Sequence, residues 1–289
     1  MDTATQTRAR APVDWARVSL PPAWPDGAAP RVSRWRRTFA ALTRSARPRA
    51  RDTVTLPDGL PGKSWLPEYL LREFHRMPNG YYSEAQARGY DRGFEGAMLG
   101  RMTVARARIT ARLRGARRVL DVGCGTGRLA SALRDAGVPE VTGLDACPYL
   151  LRLAATRAPS VRLVHGLAEA TGLPSGAFDA VAACFLFHEL PSDVADGALA
   201  EAHRTLAPGG LLAITEPSRE QLRGPSLWAL FRRGGLAAIW FRLLAKLARE
   251  PYIDEWHAKD VAPWLDRAGF DLVEDETAIP FRYLLARKR

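Results

Sequence analysis

The residues with the most chemistry to offer are Asp121, Gly123, Gly125 and Gly127, in the stretch VLDVGCGTGRLA that runs from Val119 to Ala130. An apolar run ends in an acid, and three glycines follow at alternate positions. Glycines let a backbone take tight or positive-φ geometry and let a ligand approach with no Cβ in the way. A helix starting near Thr126 would add free N–H groups and the positive end of its dipole, which suit a carboxylate or a phosphate. Such a turn receives a nucleotide-like cofactor. The dinucleotide fingerprint G-x-G-x-x-G would need glycine at 128, and Arg128 stands there. Asp145 ends the next apolar run, 22 residues after Gly123, where an acid can pair with ribose hydroxyls. It also suits the N-cap of the helix PYLLRLA, and the two roles are compatible.

Further along, the turn Leu167-Ala168-Glu169 follows a third apolar run, FLFHELP a fourth, and LAPGGLLAITEP forms a fifth. These five ordered elements resemble the class I S-adenosylmethionine (SAM) methyltransferases, and among them the ubiquinone/menaquinone-type small-molecule enzymes, over roughly residues 85–220. The resemblance implies SAM as cofactor, held by Tyr90, Asp121, Gly123, Cys124, Gly125, Gly127, Asp145, Ala146, Ala168, Glu169 and Phe185. Tyr90 matches the family's lid tyrosine. The usual acid of the third turn is replaced by Leu167, so the adenine contact there passes to a backbone group or a neighbour.

The sulfonium methyl is already a strong electrophile, so the enzyme's main task is to align the acceptor and exclude water. An oxygen acceptor also needs a base. His188 follows the fourth strand at the carboxyl edge, where ligands of open α/β sheets bind, and imidazole titrates near neutrality. It reads either as that base or as a brace for its turn. Glu216, at the end of the fifth strand, reads as its orienting partner or as a plain loop acid. Tyr81, Tyr82, His188, Trp240 and His257 are the candidate acceptor-binding residues. No cluster has metal-ligand spacing, and no metal is expected.

Rival readings lack their residues. None of the seven tyrosines has a lysine four positions on, as a short-chain dehydrogenase requires. The turn after strand four, Phe187-His188-Glu189-Leu190-Pro191, is not the Asp/Asn-Pro-Pro-aromatic turn of base-modifying enzymes. Two alternatives stay open: a non-catalytic SAM-fold scaffold and an RNA-associated methyltransferase.

These residues need a frame to hold them. From Arg117 onward short apolar strands alternate with helical stretches. That rhythm predicts an α/β fold: a Rossmann-like, seven-stranded, mostly parallel sheet with helices on both faces, plus an N-terminal helical lid. Residues 1–55 read as a basic, disordered tail with a short helix over 34–44. Residues 56–114 read as the lid, with WLPEYLLREFH at helical spacing. Residues 115–289 read as the SAM-binding domain, with a helical insertion over 225–250. In the insertion, Leu236, Ile239, Trp240, Leu243, Leu244 and Leu247 share one helical face, and Arg242, Lys246 and Arg249 lie on another. That face suits either a cover over the acceptor pocket or contact with a membrane surface.

Composition agrees. Hydrophobic residues make up 47% and charged residues 25%, ordinary values for a globular protein. Three cysteines without paired spacing fit a reducing compartment, and a cytoplasmic location is expected. The net charge is +11, but residues 1–51 hold eleven Arg and three acids and so carry +8 of it. The remainder is only mildly basic, which argues against a folded nucleic-acid face. No 18-residue apolar run is present, so no transmembrane helix is expected. The expected partner is a small, partly apolar methyl acceptor; oligomeric state is not legible.

Overall fold

Short, near-continuous apolar runs build the core of the sheet. In the first core strand Val119 and Leu120, both fully buried, point into different clusters on opposite faces. A sheet covered on both sides needs apolar residues at successive positions, and the short runs supply them. The structure, a computed structural model, describes residues 13–24, 26, 53–77, 79–224, 226–248 and 250–289.

The strands are β1 (Arg118–Val122), β2 (Glu140–Asp145), β3 (Arg162–His165), β4 (Phe178–Cys184), β5 (Leu206–Pro217), β6 (Phe270–Ala278) and β7 (Phe281–Lys288). Their order is β3-β2-β1-β4-β5-β7-β6. The first five run parallel, and β7 pairs antiparallel with both β5 and β6. The helices in chain order are α1 (Glu84–Ala97), α2 (Arg101–Arg112), α3 (Arg128–Asp135), α4 (Pro148–Arg157), α5 (Ser192–Thr205), α6 (Arg219–Arg223), α7 (Leu227–Ala248), α8 (Ile253–Ala258) and α9 (Val261–Arg267). One face of the sheet packs on α2 and α3 through Ile109, Leu113, Leu129 and Leu133. The other packs on α5 and α9 through Ala198, Leu199, Trp264 and Leu265. Strand order reverses between β1 and β4, which puts the ligand crevice beyond the carboxyl end of β1.

The sequence expectation and the structure part company in four places. WLPEYLLREFH does not form a helix. Pro67 lacks an N–H, and Thr53 bridges Arg72 while Val54 N–H bonds Leu71 O, so the chain is drawn out between two 3-10 turns, Glu68–Leu70 and Phe74–Arg76. The run FDAVAACFLF reads as a strand to Phe187, but β4 stops at Cys184 because Phe185 turns at φ 63°.

The insertion differs too. Gly234 and Gly235 leave helical geometry and break α7 into two parts. Its inward stripe is Ala237, Phe241 and Leu244, which pack with Met98, Met102 and Phe281, whereas Leu236, Trp240 and Leu243 are exposed. Arg242 is buried, and its guanidinium donates to Gln221 O and Glu220 O. The apolar face expected from sequence is therefore rotated, because backbone carbonyls at the end of α6 satisfy a cation that the pattern assigned to solvent.

The fourth difference lies in the amino-terminal segment. Residues 13–24 fall in the stretch read as a disordered tail, yet Trp15 is 3% exposed against Cys124 and Leu151. Asp26 accepts hydrogen bonds from Glu84 N and Ala85 N at the start of α1, beside the N-cap Ser83. One buried indole and one helix cap anchor a segment whose average composition argues for disorder. The expected helix over 34–44 lies outside the described residues.

Candidate functional site

The glycine loop is held to the sheet by its own backbone. Gly123 N and Cys124 N both donate to Leu144 O at 2.8 and 2.9 Å, tying the loop to the end of β2. Asp145 receives Gly125 N on one carboxylate oxygen and Cys147 N on the other, each at 2.8 Å. The acid thus joins the loop to the start of α4. Burial pushes its pKa up, and the two N–H donors restrain the rise, leaving it at about 6. At Gly125, φ is 53° and an added Cβ would meet nothing within 4 Å, so this part of the loop faces open space. At Gly127, φ is 76° and an added Cβ would lie 3.0 Å from that of Ala154. That glycine serves close packing of α3 on α4.

A cleft opens over the loop. Its sheet side carries Asp121, Gly123, Cys124, Gly125, Asp145, Ala146 and Ala168, and its lid side Tyr81, Tyr82, Tyr90 and Phe185. Eleven of the residues singled out from sequence therefore meet in one place. Asp121 is 1% exposed, and its Oδ2 has no hydrogen-bond partner among the described residues. Burial raises its pKa to about 8. An orphaned carboxylate oxygen on the cleft wall, an acid at the end of β2 and an open glycine between them fit a ligand carrying an ammonium group and a ribose.

Six expected site residues lie elsewhere, His188 among them. Gly127 packs on Ala154 as described. Glu169 stands behind the wall and accepts from Tyr69 OH at 2.8 Å; Tyr69 lines the cleft in its place. Trp240 is 38% exposed and donates Nε1–H to Ala97 O. His257 is buried under β5, with Nε2 3.2 Å from Pro217 O. Glu216 is fully buried and gathers the turn after β4, accepting from Leu186 N and Phe187 N at 2.8 Å.

His188 is bound up in the same brace, with Nδ1 2.6 Å from Glu216 Oε2. Burial alone would lower its pKa, but Glu216 outweighs that and raises it. His188 is 2% exposed and is absent from the cleft wall. The geometry favours bracing for both residues: a carboxylate that accepts from two backbone N–H groups and an imidazole fixes the turn's shape.

The neighbouring residue takes the exposed place. Glu189 lines the cleft, and its Oε1 receives Tyr81 OH and His75 Nε2, each at 2.9 Å. The other ring nitrogen of His75 is 2.7 Å from Glu250 Oε1, at the end of the insertion. Burial pulls the His75 pKa down, but the two carboxylates overcome it and lift it to about 10. The ring is an imidazolium that bonds Glu189 through Nε2 and forms an ion pair with Glu250 through Nδ1. Tyr81 and Tyr90 pack edge to face beside it, with ring centres 5.0 Å apart. Sequence reasoning missed His75, Glu189 and Glu250, which lie in three separate irregular segments. It also missed Asp91, next to Tyr90, which receives Thr126 Oγ1, Arg128 and Arg157 and so ties α1 to the glycine loop. Those partners hold its carboxyl at about 2 despite the opposing effect of burial. The alternating apolar pattern carries no trace of either cluster; only the proximity of Asp91 to the lid tyrosine was a signal.

Comparison with known proteins shows the family. Residues 119–210 match the family model described as a methyltransferase domain. An uncharacterized methyltransferase of Synechocystis sp. is 32% identical over 156 residues, covering 54% of this chain and 68% of its own. The chain belongs to the class I SAM-dependent methyltransferases. A demethylmenaquinone methyltransferase of Thermus thermophilus is 40% identical over 105 residues, but these span 35% of this chain and 47% of that relative. A SAM-dependent methyltransferase of Thermotoga maritima shares the fold, with a TM-score of 0.51 at 19% identity over 71% of this chain and 97% of that one. The methyltransferase has SAM as its cofactor. Among the described residues no helix is long and apolar enough to cross a membrane.

Proposed function

We propose that this methyltransferase acts on a small, partly apolar molecule with a phenolic or hydroquinone-type O–H, and that Glu189 takes the proton of that group. The observation that carries the reading is the lid side of the cleft wall, where Phe74, Tyr81, Tyr82, Tyr90, Phe94 and Phe185 line the cleft together with the carboxylate of Glu189, while Asp121 and Asp145 stand on the sheet side. Flat aromatic walls suit a flat aromatic acceptor. The menaquinone-type names of several relatives point the same way.

SAM, when bound, supplies an electrophilic methyl group. Asp121 and Asp145 would hold its ammonium and ribose groups, and the open backbone at Gly125 leaves room for its chain. Glu189 accepts the acceptor's proton and becomes a carboxylic acid, which leaves an oxyanion whose charge spreads over ring oxygen and carbon. Methylation at O or at C follows from which of the two is aligned. His75 keeps Glu189 in place through its hydrogen bond to Oε1. Tyr81 restricts the same oxygen, Oε1. The lid residues exclude water, which matters because a dry site strengthens every charge interaction within it.

The test uses purified full-length chain. Calorimetry should give SAM binding in the micromolar range, and Asp145→Ala should weaken it about tenfold or more, roughly 1.4 kcal/mol. With 1,4-naphthohydroquinone as acceptor, S-adenosylhomocysteine release should fall about a hundredfold or more in Glu189→Gln, with SAM affinity unchanged. Wild-type protein that binds no SAM would sink the site assignment. Full turnover in Glu189→Gln would remove the proposed base. Release blocked in His188→Gln but not in Glu189→Gln would return that role to His188.

A further inference from the structure

The inserted helix α7 leaves six large apolar side chains uncovered. Leu227, Trp228, Phe231, Leu236, Trp240 and Leu243 are 56, 67, 42, 75, 38 and 48% exposed. Docking on the core does not use them, because α7 already buries Leu230, Ala238 and Phe241. Trp228 and Phe231 stack with ring centres 5.8 Å apart on the first part of the helix. Beyond the break at Gly234 and Gly235, Trp240 reaches Ala97 O, which carries the patch to the α1–α2 turn, where Leu99 is 56% exposed. So many large apolar side chains exposed on one inserted segment mark an interaction site.

Charge says what covers it. Residues 227–248 hold Arg232, Arg233, Arg242 and Lys246 and no acid. Arg242 is buried and Arg233 bonds Glu220, but Arg232 and Lys246 are exposed beside the apolar residues. A two-fold contact with a second copy would set this cationic segment against itself, at a cost. An anionic lipid surface pairs with the cations and takes up the indoles and aliphatic side chains. The helix lies on such a surface and does not span it, being too short of apolar residues to cross.

The inner side of α7 bears on the cleft. Phe241 packs in one cluster with Met102, Phe94 and Phe185, and these three line the cleft wall. We infer that α7 docks the protein on an anionic lipid surface through Trp228, Phe231, Leu236 and Leu243, with Arg232 and Lys246 against the headgroups. Its second consequence rests on the acceptor proposed above: an apolar acceptor dissolved in that surface lies close to the cleft.

Vesicle sedimentation of the full chain tests this. Binding should be strong to phosphatidylcholine vesicles containing about a third phosphatidylglycerol and weak to phosphatidylcholine alone. Trp228→Ser with Phe231→Ser should weaken binding to the anionic vesicles about tenfold or more, and so should Leu236→Gln with Leu243→Gln. Arg232→Gln with Lys246→Gln should erase much of the preference for anionic lipid. None of these residues lines the cleft, so SAM affinity in every variant should equal wild type and certifies folding. Loss of SAM binding by wild type would count against the cofactor site and leave the vesicle result standing on its own. Wild-type binding by the apolar variants would overturn the inference and assign adhesion to the basic residues 1–51. A wild type that ignores vesicles but forms a dimer dispersed by Trp228→Ser with Phe231→Ser would overturn it in favour of a second copy.

Discussion

Asp121 shows how much one side chain depends on what encloses it. A carboxyl at the end of β1 is an ordinary acid in the sequence; burial raises its pKa to about 8 and leaves Oδ2 without a partner. Its proton is therefore mostly retained at neutral pH. A bound ammonium group favours the carboxylate, so binding must expel that proton. The sign follows: SAM affinity rises with pH while Asp121 is protonated in the free protein and levels off above about 8. Asp145, at about 6, is largely ionised over the upper part of this range. Between pH 6 and 8 the dissociation constant should fall about fiftyfold. Calorimetry in buffers of different ionisation enthalpy should show close to one proton released near pH 7. Asp121→Asn should flatten the profile and abolish the release; a wild-type constant that does not move between pH 6 and 8 would contradict the assignment.

Among elements, the contact that matters most joins three segments with no sequence pattern in common. His75 belongs to the lid's second 3-10 turn, Glu189 to the turn after β4 and Glu250 to the end of the insertion. The folded pKa of His75, about 10, is above its ordinary 6.5. A raised histidine pKa adds stability that is fully present below about 6.5 and is lost as pH rises through about 10. His75→Gln should accordingly destabilise the protein at pH 6 by about 3–5 kcal/mol, since it strands two partly buried carboxylates. The gap to wild type should shrink by pH 10, where wild type loses the same cation. Urea midpoints at the two pH values check this, and a gap that stays constant would show that the ring acts by packing alone. The insertion teaches a related lesson. Helical periodicity found its apolar residues but not which of them face inward, because Arg242 spends its charge on the carbonyls of α6.

For the whole molecule, the sheet and the cofactor loop were legible in the sequence because their determinants are local. A short, near-continuous apolar run marks the core strands β1, β2 and β4 within a few residues, and the turn from β1 into α3 is written in three glycines at alternate positions. Eleven predicted cleft residues meet in the structure for the same reason: they sit at the carboxyl ends of neighbouring strands or on the lid that precedes them. Segment averages misled where single residues rule, as at Trp15, whose burial holds down a stretch of disordered composition. The sequence by itself determined the fold class, the cofactor and the edge of the sheet where chemistry happens. Tertiary structure alone decided that His188 is buried against Glu216 while Glu189 lines the cleft, and it placed His75 beside a glutamate 114 positions away and another 175 away. No repeat or spacing encodes contacts of that range; they exist only once the lid, the turn and the insertion have packed together, and the low-dielectric environment that sets their charges forms in the same step.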